Sequence, residues 1–200
     1  MKNHKSTINL YGAGGHAKVI IDILRETAKD IVVYDDDKTL SELLNFPIIH
    51  DRIDNPIIIS IGSNTIRKKV VGKLEDATYT SAISERTTLS QNVEVGEGTV
   101  VMQGCVIQSS TTIGNHVIVN TGSTIDHDCI IEDFVHIAPG CNLCGAVQIA
   151  EGTLIGAGSV IIPGVKIGKW SVIGAGSVVV NDIPDNVTAV GNPCRVIKRR

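Results

Sequence analysis

From Ile83 to Val179 every sixth residue of the chain is aliphatic, running Ile83, Leu89, Val95, Val101, Ile107, Ile113 and on without a slip through Ile173. Aliphatic residues fill roughly 30% of positions in a chain of ordinary composition, so chance does not produce such a run. A period of six fits neither the helical 3.6 nor simple strand alternation, and it marks a solenoid of short stacked units. Four residues after each aliphatic position stands a small or β-branched one, such as Thr99, Cys105, Thr111, Ser123, Cys129 and Cys141. These suit a narrow interior beside a large aliphatic neighbour, and they favour short strands. The string Ile155-Gly-Ala-Gly-Ser-Val160 recurs letter for letter at Ile173–Val178, eighteen residues later. Three hexapeptides per coil make a triangular prism, with residues eighteen apart stacked in columns about 4.8 Å apart. The pattern predicts a parallel β-helix.

The N-terminal stretch carries a different pattern. Thr7 to Leu10 reads as a strand, followed by Tyr11-Gly12-Ala13-Gly14-Gly15-His16, and Val19, Ile20, Ile23 and Leu24 then recur at helical spacing through Thr27. Ile31 to Tyr34 is a second strand, ending at Asp35-Asp36-Asp37, and a short helix is expected around Leu40 to Leu44 before Ile48-Ile49. Ile57 to Ile61 is a third strand ending at Gly62-Ser63-Asn64, and Thr65 to Leu74 reads as a helix. This order predicts one half of a doubly wound parallel sheet. Residues 1–78 are therefore expected to form a small Rossmann-like unit, with 76–82 as a link and 79–200 as the β-helix and its tail. The repeat is expected to break at Asn181–Asn186, and the chain ends on four basic residues, Arg195, Lys198, Arg199 and Arg200.

Composition narrows the function classes. The charged fraction is 20% and the hydrophobic fraction 42%, which describes a globular chain. Net charge is −3, arguing against a broad nucleic-acid or anionic-membrane surface. No apolar run reaches a membrane span, and the first residues lead into no signal-peptide core. Cys105, Cys129 and Cys141 fall in the small interior slot, reading as buried thiols of a cytoplasmic protein. Cys141 and Cys144 form a lone C-x-x-C in different repeat slots with no second pair, so a zinc or redox centre is not expected.

Two stretches carry candidate chemistry. Gly12-x-Gly14-x-x-Ala17 between strand and helix is a relaxed dinucleotide fingerprint, in which glycines let backbone approach a phosphate at a helix N-terminus. A tight turn without ligand, a full nicotinamide site and a single nucleotide are all compatible with it. The single nucleotide is preferred because the second half of the sheet is missing. Gly14, Gly15, His16, Asp35, Asp36 and Gly62 would then meet at the C-terminal strand ends. The second stretch is Asn120-Thr-Gly-Ser-Thr-Ile-Asp-His127-Asp128. His127 suits a general base, since its ordinary pKa lies near working pH, and Asp128 would orient it if both occupy a corner. The residue types of His127, His136 and Asp128 would also suit a metal, a reading placed below the base. The column through His127 continues as Gly145. Asn120 begins a strip of Ala138, Gly156, Gly174, Ala157 and Ala175, a groove fit for a long thin ligand such as the pantetheine arm of coenzyme A. His116 and His50 lack supporting neighbours and read as surface residues.

The hexapeptides, the Ile155-Gly-Ala-Gly-Ser-Val-Ile-Ile-Pro-Gly-Val segment and the terminal Val190-Gly-Asn-Pro-Cys-Arg-Val-Ile-Lys resemble the left-handed β-helix acyltransferases. With the Tyr11-Gly-Ala-Gly-Gly-His start, Asp35-Asp36 and the His127 segment, the chain is similar to nucleotide-aminosugar N-acetyltransferases and the related sialic acid O-acetyltransferases. The resemblance implies a small N-terminal Rossmann-like α/β domain followed by a left-handed parallel β-helix. It implies a homotrimer with active sites between neighbouring prisms, and acetyl-CoA as co-substrate with no metal. It implies His127 as base supported by Asp128, and His136, Gly145, Ala157 and Ala175 along acetyl-CoA. It also implies Gly14, Gly15, His16, Asp35, Asp36, Gly62 and Asn120 around the nucleotide sugar, and the basic tail as a partner for CoA phosphates. The expected acceptor is the amino group of a nucleotide-linked sugar such as a UDP-4-amino-4,6-dideoxyhexose. Sugar O-acetylation and a non-catalytic β-helix scaffold are the alternatives.

Overall fold

The computed structural model describes residues 7–26 and 30–199. Arg200 and Thr27, both named above, lie outside the described residues. Two structural units follow one another along the chain.

The first unit is a sheet with a helix on each side. Strand β1 (Ile8–Tyr11) pairs in parallel with β2 (Ile31–Tyr34) and with β5 (Ile57–Ile59), while β2 pairs in parallel with β4 (Phe46–Ile49). Helix α1 (Gly15–Glu26) buries Ala17, Ile20, Ile21, Ile23 and Leu24, the face its periodicity marks. Helix α2 (Asn64–Val71) follows β5. The short helix expected around Leu40 to Leu44 does not form. In its place β3 (Glu42–Leu43) runs antiparallel to β4, pairing Glu42 with Pro47 and Leu43 with Phe46. Leu44 and Asn45 both take positive φ, +49° and +68°, in a two-residue hairpin turn. Such a turn needs left-handed conformations at both positions, and it competes successfully with a helix too short to sustain itself.

The second unit is the predicted prism. Seventeen two-residue strands, β6 (Ala82–Ile83) to β22 (Val178–Val179), begin every six residues, and the second residue of each is the aliphatic of the repeat. Each from β6 to β19 pairs in parallel with the strand eighteen residues on, as in Thr112 with Ile130 and Ile118 with His136. Three sheets result. The first contains β6, β9, β12, β15, β18 and β21, extended by β23 (Val187–Val190) and the antiparallel β24 (Arg195–Arg199). The second contains β7, β10, β13, β16, β19 and β22, and the third β8, β11, β14, β17 and β20.

Inside, the aliphatics from Val101 to Val179 are buried, while Leu89 of the first coil has no coil beneath it and is 39% exposed. The small slot is polar for a reason. Ser123 Oγ donates to Ala138 O at 2.9 Å and accepts from Cys141 N at 3.3 Å, linking successive coils. Thr99, Thr111 and Thr153 repeat that rung, which satisfies backbone groups a purely apolar interior would leave unpaired.

The α/β unit sits on the first sheet. The outward residues Ala82, Val100 and Ile118 are buried in the same apolar cluster as Ala17, Ile20, Ile21 and Leu24. Helix α2 lies along the edge where the third sheet turns into the first. Asn64 Nδ2 donates there to Gly152 O at 3.0 Å, and Arg67 donates to His116 O at 2.8 Å and Phe134 O at 2.9 Å. His116 is accordingly not a surface residue. It is buried, edge-on to Tyr79 and stacked on Phe134, in space left by Gly98, whose added Cβ would meet the ring at 2.3 Å. His50 is half-buried, with Nδ1 2.8 Å from Asp35 O.

Candidate active site

From Asn92 to Gly176 each coil corner carries a residue with positive φ three positions after the aliphatic, and at the His127 corner that residue is Asp128, φ +59°. The left-handed turn brings neighbouring side chains to the same side. His127 Nδ1 lies 2.7 Å from Asp128 Oδ2, while His127 N donates to Asp126 Oδ1 at 2.9 Å. The corner condition for the pair is therefore met. The Asp128 hydrogen bond, helped by the charge of Asp126, raises the His127 pKa above its ordinary value. The imidazole rests on Gly145 of the next coil, where an added Cβ would stand 2.7 Å from His127 Cε1. Ala146 N donates to His127 O at 2.9 Å, and the Gly145 N–H donates to no acceptor among the described residues.

Asn120, Ala157 and Ala175 lie on another edge, where the first sheet turns into the second. Gly140, Gly158 and Gly176 beside them would meet nothing within 4 Å on gaining a Cβ, so this edge is an open strip of small residues. Within one chain the second sheet separates the strip from His127 and Gly145. His136 belongs to neither edge. It projects from β15 (His136–Ile137) on the first sheet, half-buried beneath the α/β unit, with Nε2 3.2 Å from Asn120 Nδ2. Burial, with the Arg67 charge nearby, lowers its pKa to about 4.

A cleft of about 580 Å³ opens at the C-terminal ends of the parallel strands. It brings together Gly14, Gly15, His16, Asp35, Asp36 and Gly62, as the strand-end argument anticipated. Gly12 has φ +112° and an added Cβ would stand 2.7 Å from Ile61 Cγ1, so only glycine fits this turn. Asp35 shapes the loop, Oδ2 accepting from Ala13 N at 2.7 Å and Oδ1 from Asp37 N at 2.9 Å. Asp36 is held by Tyr11 Oη at 2.7 Å and Tyr34 Oη at 3.1 Å. Burial and the Asp36 bond push the Tyr11 pKa well above the usual phenol range, keeping it a donor. His16 lies near His136, and burial lowers its pKa to about 4, with Nε2 buried and unpartnered.

Ile66 and Lys69 of α2, and Lys73 just beyond its end, also line this cleft, and sequence reasoning did not single them out. The spacing of the two lysines was the available signal, since residues four apart share a helix face. Arg67, fully buried, was also missed, because a basic residue in a short helix reads as solvated. A second cleft, of about 440 Å³, shares Gly62 with the first and runs between the start of α2 and the first sheet, past His136, Leu154 and Trp170. Among the described residues, no group of three or more His, Cys, Asp or Glu is placed to hold a metal ion, and no helix is long and apolar enough to cross a membrane.

Comparison with known proteins follows the same division. Residues 7–74 match the family described as the PglD N-terminal domain, and residues 146–181 match the bacterial transferase hexapeptide family. A histidine mutant of perosamine N-acetyltransferase from Caulobacter crescentus, in complex with CoA and GDP-perosamine, superposes with TM-score 0.92 at 34% identity, covering 96% of this chain and 97% of that one. The acetyltransferase domain of PglB from Neisseria gonorrhoeae FA1090 gives TM-score 0.91 at 33% identity, covering 96% and 99%. A 2,3,4,5-tetrahydropyridine-2,6-dicarboxylate N-acetyltransferase of Alkaliphilus metalliredigens (strain QYMF) is 48% identical over 118 residues, 55% of this chain and 50% of that protein. The chain spans half or less of the length of the curated relatives it matches. By fold, by both sequence families and by likeness over 96% of its residues, this chain belongs to the left-handed β-helix (hexapeptide-repeat) acyltransferases.

Proposed function

We propose that the chain transfers acetyl from acetyl-CoA to the amino group of a nucleotide-linked amino sugar in glycan biosynthesis, with His127 as general base. One observation carries the reading. Nδ1 of His127 is committed to Asp128, which leaves Nε2 open beside a Gly145 N–H that meets no acceptor among the described residues.

The transfer is direct. The neutral acceptor amine attacks the thioester carbonyl carbon, and His127 Nε2 takes one nitrogen-bound proton as the N–C bond forms. Gly145 N–H donates to the carbonyl oxygen as negative charge develops there. The C–S bond then breaks, and the departing CoA thiolate takes the proton from the imidazolium. Asp128 fixes the imidazole tautomer and stabilises the imidazolium.

Residues 1–78 serve as the nucleotide-sugar unit. Free amides of Gly14, Gly15 and His16 at the start of α1 face the diphosphate, Lys69 and Lys73 balance its charge, and Asp35 and Asp36 offer their remaining lone pairs to the nucleoside. Residues 79–200 serve as the acyl-transfer unit. The strip of Ala157 and Ala175 takes the pantetheine arm, and Asn120 and His136 stand between strip and nucleotide cleft. A ligand that touches this strip and also His127 requires two prisms, which supports a homotrimer with sites between its subunits. Likeness to an enzyme crystallised with CoA and GDP-perosamine supports a nucleotide-linked acceptor.

The test is thiol release from acetyl-CoA with UDP-, dTDP- and GDP-linked 4-amino-4,6-dideoxy sugars and free sialic acid as acceptors. The expected result is turnover of a nucleotide amino sugar that falls about 10²–10⁴-fold in His127→Ala. Turnover of sialic acid alone would move the assignment to O-acetylation. Absence of release with every acceptor would favour a scaffold without transferase activity.

A further inference from the structure

Arg67 is fully buried and has no carboxylate partner among the described residues. Its guanidinium instead reaches backbone carbonyls on both units of the protein. Nη1 donates to Ile61 O at 3.0 Å and Gly62 O at 3.2 Å, in the loop that lines the nucleotide cleft. Nε donates to His116 O at 2.8 Å, and Nη2 to Phe134 O at 2.9 Å and to Asn64 Oδ1 at 2.9 Å. Burial lowers its pKa to about 9, which still leaves it cationic at neutral pH.

The choice of carbonyls is informative. His116 and Phe134 are eighteen residues apart, so they bracket one complete coil of the prism. That coil carries Asn120, His127 and Asp128. Asn64, one helical turn before Arg67, donates to Gly152 O and Thr153 O at 3.0 and 3.2 Å on the next coil up. The two side chains thus register α2 against three successive corners whose spacing is about 4.8 Å. An apolar side chain could fill this volume, and burying a bare guanidinium is costly unless its donors are met. A planar fork of donors that meets two units at once specifies their relative height, which greasy packing does not.

We propose that Arg67 is a positioning residue that holds the nucleotide cleft at a fixed height relative to the coil bearing His127, and so sets where a nucleotide-anchored acceptor presents its amine. The inference rests on the function proposed above. Arg67 lines neither cleft. It acts through Gly62 and through the carbonyls on either side of the catalytic coil. A displacement near 1 Å is enough to cost about 10²-fold in rate.

The experiment compares wild type with Arg67→Lys and Asn64→Ala, the latter a milder change that removes the neighbouring contacts. Three quantities are read: kcat and KM for the nucleotide-linked amino sugar that wild type uses, the Kd of the matching nucleoside diphosphate, and turnover of the same amino sugar without its nucleotide. Thermal melts confirm that each variant is folded. For Arg67→Lys the expected kcat is roughly 10- to 100-fold lower on the nucleotide-linked acceptor, with the diphosphate Kd within about twofold and free-sugar turnover unchanged. For Asn64→Ala the same split appears with a smaller loss. Equal losses on both acceptors in folded variants would make Arg67 a structural residue only, and an unaltered kcat would remove the positioning role. If wild type turns over no nucleotide-linked sugar, the functional reading itself fails, and that outcome is visible before any variant is made.

Discussion

His127 and Asp128 are sequence neighbours, yet His127 Nδ1 stands 2.7 Å from Asp128 Oδ2. Along a strand their side chains would point to opposite faces. Here the left-handed backbone of Asp128, φ +59°, folds the corner so that carboxylate and imidazole meet. One conformational feature of the repeat, present at the corners from Asn92 to Gly176, here brings a carboxylate onto an imidazole.

Asp128→Asn tests that orientation. The Asp128 bond raises the His127 pKa, and a base acts only when neutral, so the rate should climb with pH through an inflection above 6.5. In Asp128→Asn the inflection should move down toward 6.5, and the plateau should fall because the tautomer is no longer fixed. A profile of kcat/KM against pH that superposes on wild type would refute the role.

Gly145→Ala places a Cβ 2.7 Å from His127 Cε1, so the ring must leave its seat. The expected loss in kcat is at least about tenfold. The melting temperature should change little, since the His127 side chain is 60% exposed and stands outside the buried core. Full activity in this variant, measured by thiol release, would show that the ring does not need that seat.

Replacing Lys69 and Lys73 by Ala removes two cations from the cleft proposed to take the nucleotide. KM for the nucleotide sugar should rise about tenfold at low salt, and the difference should shrink as salt screens the wild-type contacts. Steady-state kinetics at two ionic strengths checks this. A change confined to kcat would contradict it.

Acid should loosen the seam between the units. His16, His116 and His136 each have a pKa of about 4 in the folded chain, lowered from 6.5 chiefly by burial. The unfolded chain gains these protons as pH drops below 6.5 while the folded chain does not. Their contribution is therefore complete above 6.5 and is lost as pH falls toward 4. Urea midpoints should decline across that window, and His116→Phe, which keeps a ring between Tyr79 and Phe134, should flatten the decline. A midpoint that is flat from pH 7 to 4.5 in wild type would disprove the coupling.

The sequence by itself determined the prism. A period of six with large aliphatics and small partners has one economical packing, and strand register at eighteen follows from it, because each coil buries only what its neighbours cover. It also determined the glycine turn at Gly12, since no other residue fits φ +112° against Ile61. The segment Leu40 to Leu44 was misread as helix because left-handed turn residues such as Leu44 carry no strong local mark. What only the tertiary structure decided concerns residues whose role depends on something distant in sequence. His116 is buried because Gly98 vacates space one coil away, and Arg67 is buried because carbonyls of two coils and of the Gly62 loop converge on it. His136 lies under the α/β unit, which the repeat could not reveal. Periodicity reports on contacts that recur every coil. The seam between two different units occurs once, and its chemistry becomes visible only when both are in place.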